Sequence, residues 1–294
     1  MKTPILLICW RRPSTTLHVL KRILAYEPSC LYVACDGARE SHSEERLLVD
    51  QTRELVSTSL PARQVAKFRY SSSNKGCRQG VLEALNWFFS HEQEGIILED
   101  DCLPSPSFFA YCTALLDHYR NYERVWQICG FNRIGRAVSH PQADYFFSRY
   151  GPVWGWASWR RAWRQHRDST DWLTLFGDQK RASLFYPYSP ERQAKLRIAA
   201  RLQSGELDTW DYQWGFTKTA YSALSIVPSV NLIKNIGFGE GATHTNGPHD
   251  SLPEVGNLQH PLRHPPTVDA DEAFDRLYAR SAFPRPSLPS LLKQ

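Results

Sequence analysis

Residues 95–101 read GIILEDD, an uncharged run that ends in three consecutive carboxylates. A run this short and apolar reads as a buried strand, which leaves Glu99, Asp100 and Asp101 at its carboxyl end. Upstream, residues 78–90 place Val81, Leu82, Leu85 and Phe89 on one side of a helix, after a loop at Asn74-Lys75-Gly76. Residues 65–70, 30–34 and 4–9 (PILLIC) read as three further strands. Between them lie a polar, helix-compatible segment at 42–57 and a helix opened by Pro13 and Ser14 that carries Leu17, Leu20 and Leu24. Short strands alternating with helix-length segments predict βαβ units. The expected class is α/β, with a mostly parallel central sheet flanked by helices.

Downstream the pattern loosens. Ser105-Pro106 opens a helix that runs to about Tyr119, residues 125–129 read as a strand, and 223–227 as a late one. Between 130 and 215 only a helix at about 191–204 stands out. Glycines at 237, 239 and 241 then break the chain into a loop that ends in Ala242-Thr243-His244-Thr245. Prolines recur from 248 onward, so 247–294 is expected to be an extension without a core of its own, helical only at 272–278. The expected division is a catalytic domain over 1–246 followed by that extension.

Composition narrows the function. The chain has 294 residues, 42% hydrophobic and 22% charged, as in ordinary globular proteins, with 10 Trp, 13 Tyr and 14 Phe. No run approaches the length of a membrane span. Arg11-Arg12-Pro13 after the first apolar run is no signal-peptide cleavage site, and seven scattered cysteines without a CxxC pair suit a reducing compartment. A cytoplasmic enzyme is expected, with the basic, proline-rich tail a candidate for peripheral contact at the inner face of a membrane. The net charge of +5 favours anionic partners, but Lys and Arg form no tract, so a nucleotide is expected and not a nucleic acid.

In open α/β sheets ligands collect beyond the carboxyl ends of the strands. Arg11, Arg12, Asp36, Asn74, Lys75 and Glu99–Asp101 all fall just past expected strand ends. Three carboxylates at a buried edge need a cation, a hydrogen-bond donor or protonation to compensate them; a hard divalent ion, Mg2+ or Mn2+, held by one or two of them plus a substrate phosphate is the natural choice, and a solvated acidic loop or helix start is the competing reading. Continued strand geometry would turn Glu99 and Asp101 one way and Asp100 the other. Asp36-Gly37 reads either as a turn or as an acceptor for a nucleotide base or ribose. Lys75 and Asn74 precede a helix, where anions are favoured. Further along, WGWASW at 154–159 shows no clear period, and Trp154 and Trp156 are candidates for a substrate wall or for core. DTWDYQW at 208–214 brings Trp210, a further candidate for the substrate wall, beside two acids, of which Asp208 suits a helix cap and Asp211 a general base. His244 is a candidate for metal or diphosphate. Neither HExxH nor a GxxxxGK[ST] phosphate loop is present.

Across residues 3–246 these pieces, in this order, resemble the nucleotide-diphospho-sugar transferases of the GT-A fold. The nearest likeness is to bacterial family-2-like glycosyltransferases, with some to metal-dependent N-acetylglucosaminyltransferases that carry a Glu-Asp-Asp acidic motif. ILEDD at 97–101, WGWASW, DTWDYQW and NIGFGEGATHT at 235–245 carry the resemblance. It implies Asp101 as the metal ligand bridging to the donor diphosphate and Asp100 near the ribose or donor sugar. It implies Arg11, Asp36, Asn74 and Lys75 around the nucleotide, Asp211 as the base of an inverting transfer, and His244 at the metal or phosphate. The donor would be a nucleotide sugar, UDP-linked first, and the acceptor a glycan, lipid-linked intermediate or protein. A nucleotidyltransferase making an activated sugar and a noncatalytic carbohydrate-binding module are the competing readings.

Overall fold

The computed structural model describes residues 2–40, 42–169, 171–238 and 252–285. In the first hundred residues the expected alternation forms: β1 (Ile5–Cys9), α1 (Pro13–Tyr26), β2 (Leu31–Cys35), α2 (Ser43–Ser59), β3 (Ala66–Tyr70), α3 (Gly76–His91) and β4 (Glu94–Glu99). Proline opens α1, where its missing N–H and fixed φ suit a first turn. The helix stops where Glu27 turns left-handed at φ 56° and returns its N–H to Ile23 and Leu24. After these come β5 (Cys102–Pro104), α4 (Phe108–His118), β6 (Val125–Cys129), β7 (Tyr145–Ser148), β8 (Trp156–Trp159) and α5 (Arg160–Trp163). Then follow α6 (Trp172–Phe176), α7 (Gln179–Phe185), α8 (Ser189–Gln203), α9 (Asp211–Ala220), β9 (Leu224–Pro228), β10 (Ile233–Asn235) and α10 (Glu272–Ala282).

One eight-stranded sheet runs in the order β3-β2-β1-β4-β8-β6-β9-β7. Its first four strands are parallel. β8 then lies antiparallel to both β4 and β6, β9 is parallel to β6, and β7 closes the edge antiparallel to β9. The expected α/β class, a mostly parallel sheet flanked by helices, is present. Alternation sorts the side chains of the central strands. Ile5, Leu7 and Cys9 join Leu31, Val33 and Cys35 in the layer with residues of α1, α2 and α4, while Leu6, Tyr32, Ala34 and Ile97 join the layer with residues of α3 and α9.

The chain steps from β1 outward to β2 and β3, then returns to the other flank of β1 as β4. This reversal leaves a crevice between the carboxyl ends of β1 and β4, the topological switch point of the sheet.

The stretch 154–159, open to a wall reading, contributes a central strand. β8 is buried on both faces, which removes the apolar–polar alternation that marks a half-exposed strand. Trp156, at 1% exposure, and Trp210, at 4%, are core residues. They stack with ring centroids 5.8 Å apart and join Trp126, Trp163 and Trp214 in one indole cluster. The wall role expected of these two is corrected on that ground: burial leaves no ring face for a ligand. Gly155 bends the chain into β8 at φ 58°, and a Cβ there would fall 2.4 Å from Ile233 Cδ1.

Residues 252–285 pack back onto the β7 side of the sheet. Leu258 and Leu262 enter the main core, and Arg263 pairs with Asp144 at 2.6 Å. Asp271 caps α10 by accepting from the N–H groups of Ala273 and Phe274, and Phe274 packs on Phe146. Among the described residues no helix is long and apolar enough to cross a membrane.

Candidate active site at the sheet switch point

A cavity of about 460 Å³ opens at the crevice between β1 and β4. Trp10 and Arg12 reach it from the end of β1, Asp36 from β2, Asn74 from the loop before α3, and Glu99, Asp100 and Asp101 from β4. Trp154, Asp208 and Asn235 complete the far wall.

Backbone and side-chain hydrogen bonds set the near wall. Asp36 Oδ1 accepts from the N–H groups of Gly37 at 2.8 Å and Lys75 at 3.0 Å, and its Oδ2 accepts from Asn74 Nδ2 at 3.1 Å. Burial raises the Asp36 pKa, and these N–H donors pull it back down. The carboxylate thereby ties the start of α3 to the end of β2. Trp10 Nε1 donates to Gly37 O at 2.9 Å. Beneath them Arg53 Nη2 donates to the carbonyls of Asp36 at 3.1 Å and Ser71 at 2.7 Å, which joins the ends of β2 and β3. The wall is preorganised before any ligand arrives.

Strand geometry stops at Glu99, so the acids do not simply alternate. The following turn brings Asp100 and Asp101 onto one guanidinium: Arg12 Nη1 lies 3.0 Å from Asp101 Oδ2 and 3.5 Å from Asp100 Oδ1. Asp100 Oδ2 also accepts from Trp10 N at 2.9 Å. Burial, then the neighbouring acids, push Glu99 up to about 8; burial and Asp101 push Asp100 up to about 7, against the pull of Arg12. Gly237 is needed here for close approach, because a Cβ at that position would fall 2.4 Å from Asp101 Oδ2. This is a site with more negative charge than its own cations neutralise.

The other expected residues divide. Arg11 turns away, 3.2 Å from Glu45 and over the Trp10 ring, so of the two neighbours it is Arg12 that lines the cavity, as Arg39 and Arg69 also do. Lys75 contributes its backbone N–H, with its side chain exposed. Asp211 is the first residue of α9 and accepts from Thr209 Oγ1, without lining the cavity. It is near enough to raise the pKa values of Glu99 and Cys77. Asp208 does line the cavity, and the cap position of α9 belongs to Trp210, which corrects the capping role expected of Asp208. His244 lies outside the described residues. Sequence reasoning passed over Trp10 and Arg53. Trp10 directly follows an apolar strand and carried a usable signal, whereas Arg53 sits mid-helix with nothing local to mark it.

The donor set fits a divalent cation. Asp100 and Asp101 converge on one positive group, both are oxygen ligands, and Glu99 and Asp100 hold protons more tightly than exposed acids. Among the described residues no group of three or more His, Cys, Asp or Glu side chains is arranged to hold a metal ion, so the pair Asp100 and Asp101 is what the site offers. A magnesium-type ion commonly takes one or two carboxylates and fills its remaining positions with water and substrate phosphate.

No protein-family model and no curated protein sequence matches this chain. Among solved structures it is similar to a mannosyltransferase from Pyrobaculum calidifontis in complex with GDP-Man and Mn2+, with TM-score 0.38 and 11% identity over 75% of this chain and 69% of that one. It is also similar to a UDP-glucose pyrophosphorylase complexed with UDP-glucose, with TM-score 0.41 and 9% identity over 82% of this chain and 96% of that one. A third is 4-diphosphocytidyl-2C-methyl-D-erythritol synthase from Anaerococcus prevotii, with TM-score 0.36 and 10% identity over 63% and 83%.

Proposed function

We propose that this protein is a metal-dependent inverting glycosyltransferase that moves a sugar from a nucleoside-diphosphate donor, UDP-linked first, to a hydroxyl of a glycan or glycoconjugate. The observation that carries the reading is the convergence of Asp100 and Asp101 at the β1–β4 switch point, beside a cavity of ligand size. Asp101 and Asp100 would hold the divalent ion, with His244 a further candidate. When bound, that ion supplies positive charge to the departing diphosphate.

The chain's own groups do the rest. Trp10, and Asn74 fixed by Asp36, form the near wall for the nucleoside. Arg12, on the cavity beside the two acids, would offer its guanidinium to the donor phosphates. Asp211 removes the proton from the acceptor hydroxyl as its oxygen attacks the anomeric carbon. Asp208 is a second candidate for that base on one observation, its place on the cavity wall.

Product analysis with a nucleotide-sugar panel tests the reading. Inverted configuration and release of a nucleoside diphosphate are expected; release of pyrophosphate identifies a nucleotidyltransferase, and sugar binding without nucleotide binding a carbohydrate module. Asp211→Asn should reduce turnover by roughly 10²–10⁴-fold, the ordinary range for a lost general base. Near-full turnover in Asp211→Asn with loss in Asp208→Asn moves the base to Asp208. Retained configuration rules out both assignments.

A further inference from the structure

Cys9 and Cys35 end adjacent parallel strands and are Cα partners in the β1–β2 register. Both point into the same layer, as Leu7 and Val33 do two residues earlier, and both border the nucleotide cavity. At 3% and 1% exposure they are almost fully buried at the floor of that cavity. Each thiol lies 3.6 Å from a backbone carbonyl, Cys9 Sγ donating to Ala34 O and Cys35 Sγ to Asp36 O, and the Cys35 pKa is lowered by the neighbouring Cys9 thiol first and by Arg53, against the effect of burial. Arg53 Nε is buried without a hydrogen-bond partner, a donor left over beside that thiol. A thiolate next to a cation is the form that reacts with peroxides.

We infer that Cys9 and Cys35 form a reversible disulfide whose closure shuts the nucleotide pocket, so that this strand pair is a redox modification site. The Cys35 thiolate attacks hydrogen peroxide, the oxygen–oxygen bond breaks, and hydroxide leaves with sulfenic acid on Cys35. Cys9 then attacks that sulfur and water departs. In sum two thiols lose two electrons and two protons to one peroxide, giving one disulfide and two waters.

Strand spacing explains why closure matters. Adjacent strands stand about 4.7–4.9 Å apart, inside the Cα range of a disulfide but wider than its usual Cβ separation of about 3.8 Å. The bond therefore draws the strand ends together and stays easy to reduce. Trp10 and Asp36 immediately follow the two cysteines and form the near wall of the cavity. Pinching moves both.

The effect on binding rests on the nucleotide reading above, whereas the linkage does not, and the experiment separates them. Reduced full-length protein is exposed to graded hydrogen peroxide, free thiols are capped with iodoacetamide, and peptides are mapped by mass spectrometry. UDP affinity with Mn2+ is measured before oxidation, after it, and after dithiothreitol. A Cys9–Cys35 peptide is expected together with a weakening of about tenfold or more, which is about 1.4 kcal/mol, reversed by reductant. Cys35→Ser should lose both the link and the peroxide response relative to its own reduced form. Cys9→Ala serves the same purpose should Cys35→Ser fail to fold, and Cys77→Ser should keep the response. Absence of the linked peptide, a link that leaves affinity unchanged, or a response that persists in both Cys35→Ser and Cys9→Ala overturns the inference. Reduced protein that binds no nucleotide contradicts the pocket's proposed use, and with it the closure effect, while the peptide map still decides the linkage.

Discussion

The two halves of the sheet spend their polar residues differently. In β3-β2-β1-β4 the inner strands β2 and β1 and the middle of β4 are apolar and buried, and acids stand at or just beyond their carboxyl ends, around an open cavity. In β8-β6-β9-β7 polar groups are enclosed: Gln127 Oε1 accepts from Lys218 Nζ at 2.7 Å and Trp214 Nε1 at 3.0 Å, and Lys218 Nζ also reaches Ser225 Oγ. Enclosed groups satisfy one another and hold the core in one arrangement. Groups at the strand ends retain unspent charge. Charge left unneutralised in a cavity marks where a ligand binds, and an internally satisfied network marks where the fold is held.

Substitutions in each half should therefore fail in different ways. The largest effect is expected at Asp101: Asp101→Asn should abolish metal-dependent turnover while leaving the denaturation midpoint unchanged or raised, since one of several crowded charges is removed. Turnover and denaturant titration on the same preparation check this. Trp214→Ala reverses the pattern. Trp214 is fully buried, so its loss should cost about 3–5 kcal/mol of stability, read from the urea midpoint.

A smaller loss is expected at Gly155→Ala, where positive φ and the Ile233 contact together cost on the order of 1–3 kcal/mol. The mildest change is a pH effect. Burial lowers Lys218 to about 8, so between about 8 and the unfolded value near 10.5 the unfolded chain holds a proton that the folded one has released. The contribution of Lys218 makes stability rise with pH through that window, and its charged form costs stability below it. Lys218→Met should flatten the rise, as unfolding midpoints between pH 7.5 and 10 would show. An unchanged slope would remove Lys218 as its source.

The sequence made the first half legible and the second half mostly not, for one reason. Strands such as 4–9 and 95–98 are bounded by charged or turn residues, and intervening helices show one apolar side. β8 is apolar or small on both faces and β7 is short, so neither shows a period, and pairing with β4 and β6 comes from tertiary contacts alone. The site followed the same division. Asp36, Asn74, Asp100 and Asp101 could be placed because strand ends converge in any such sheet. The choice of Arg12 over Arg11, the burial of Trp156 and Trp210, and the wall position of Asp208 depend on side-chain packing that no spacing in the chain encodes.

The claim that the β1–β4 switch point holds a metal–diphosphate site is tested most directly by calorimetric titration of UDP with and without Mn2+, on the wild-type protein and on Asp101→Asn. The expected result is binding that requires the metal and is weakened about tenfold or more by the substitution, a loss of 1.4 kcal/mol or more. Binding that is equally strong without metal, or indifferent to Asp101→Asn, would contradict it.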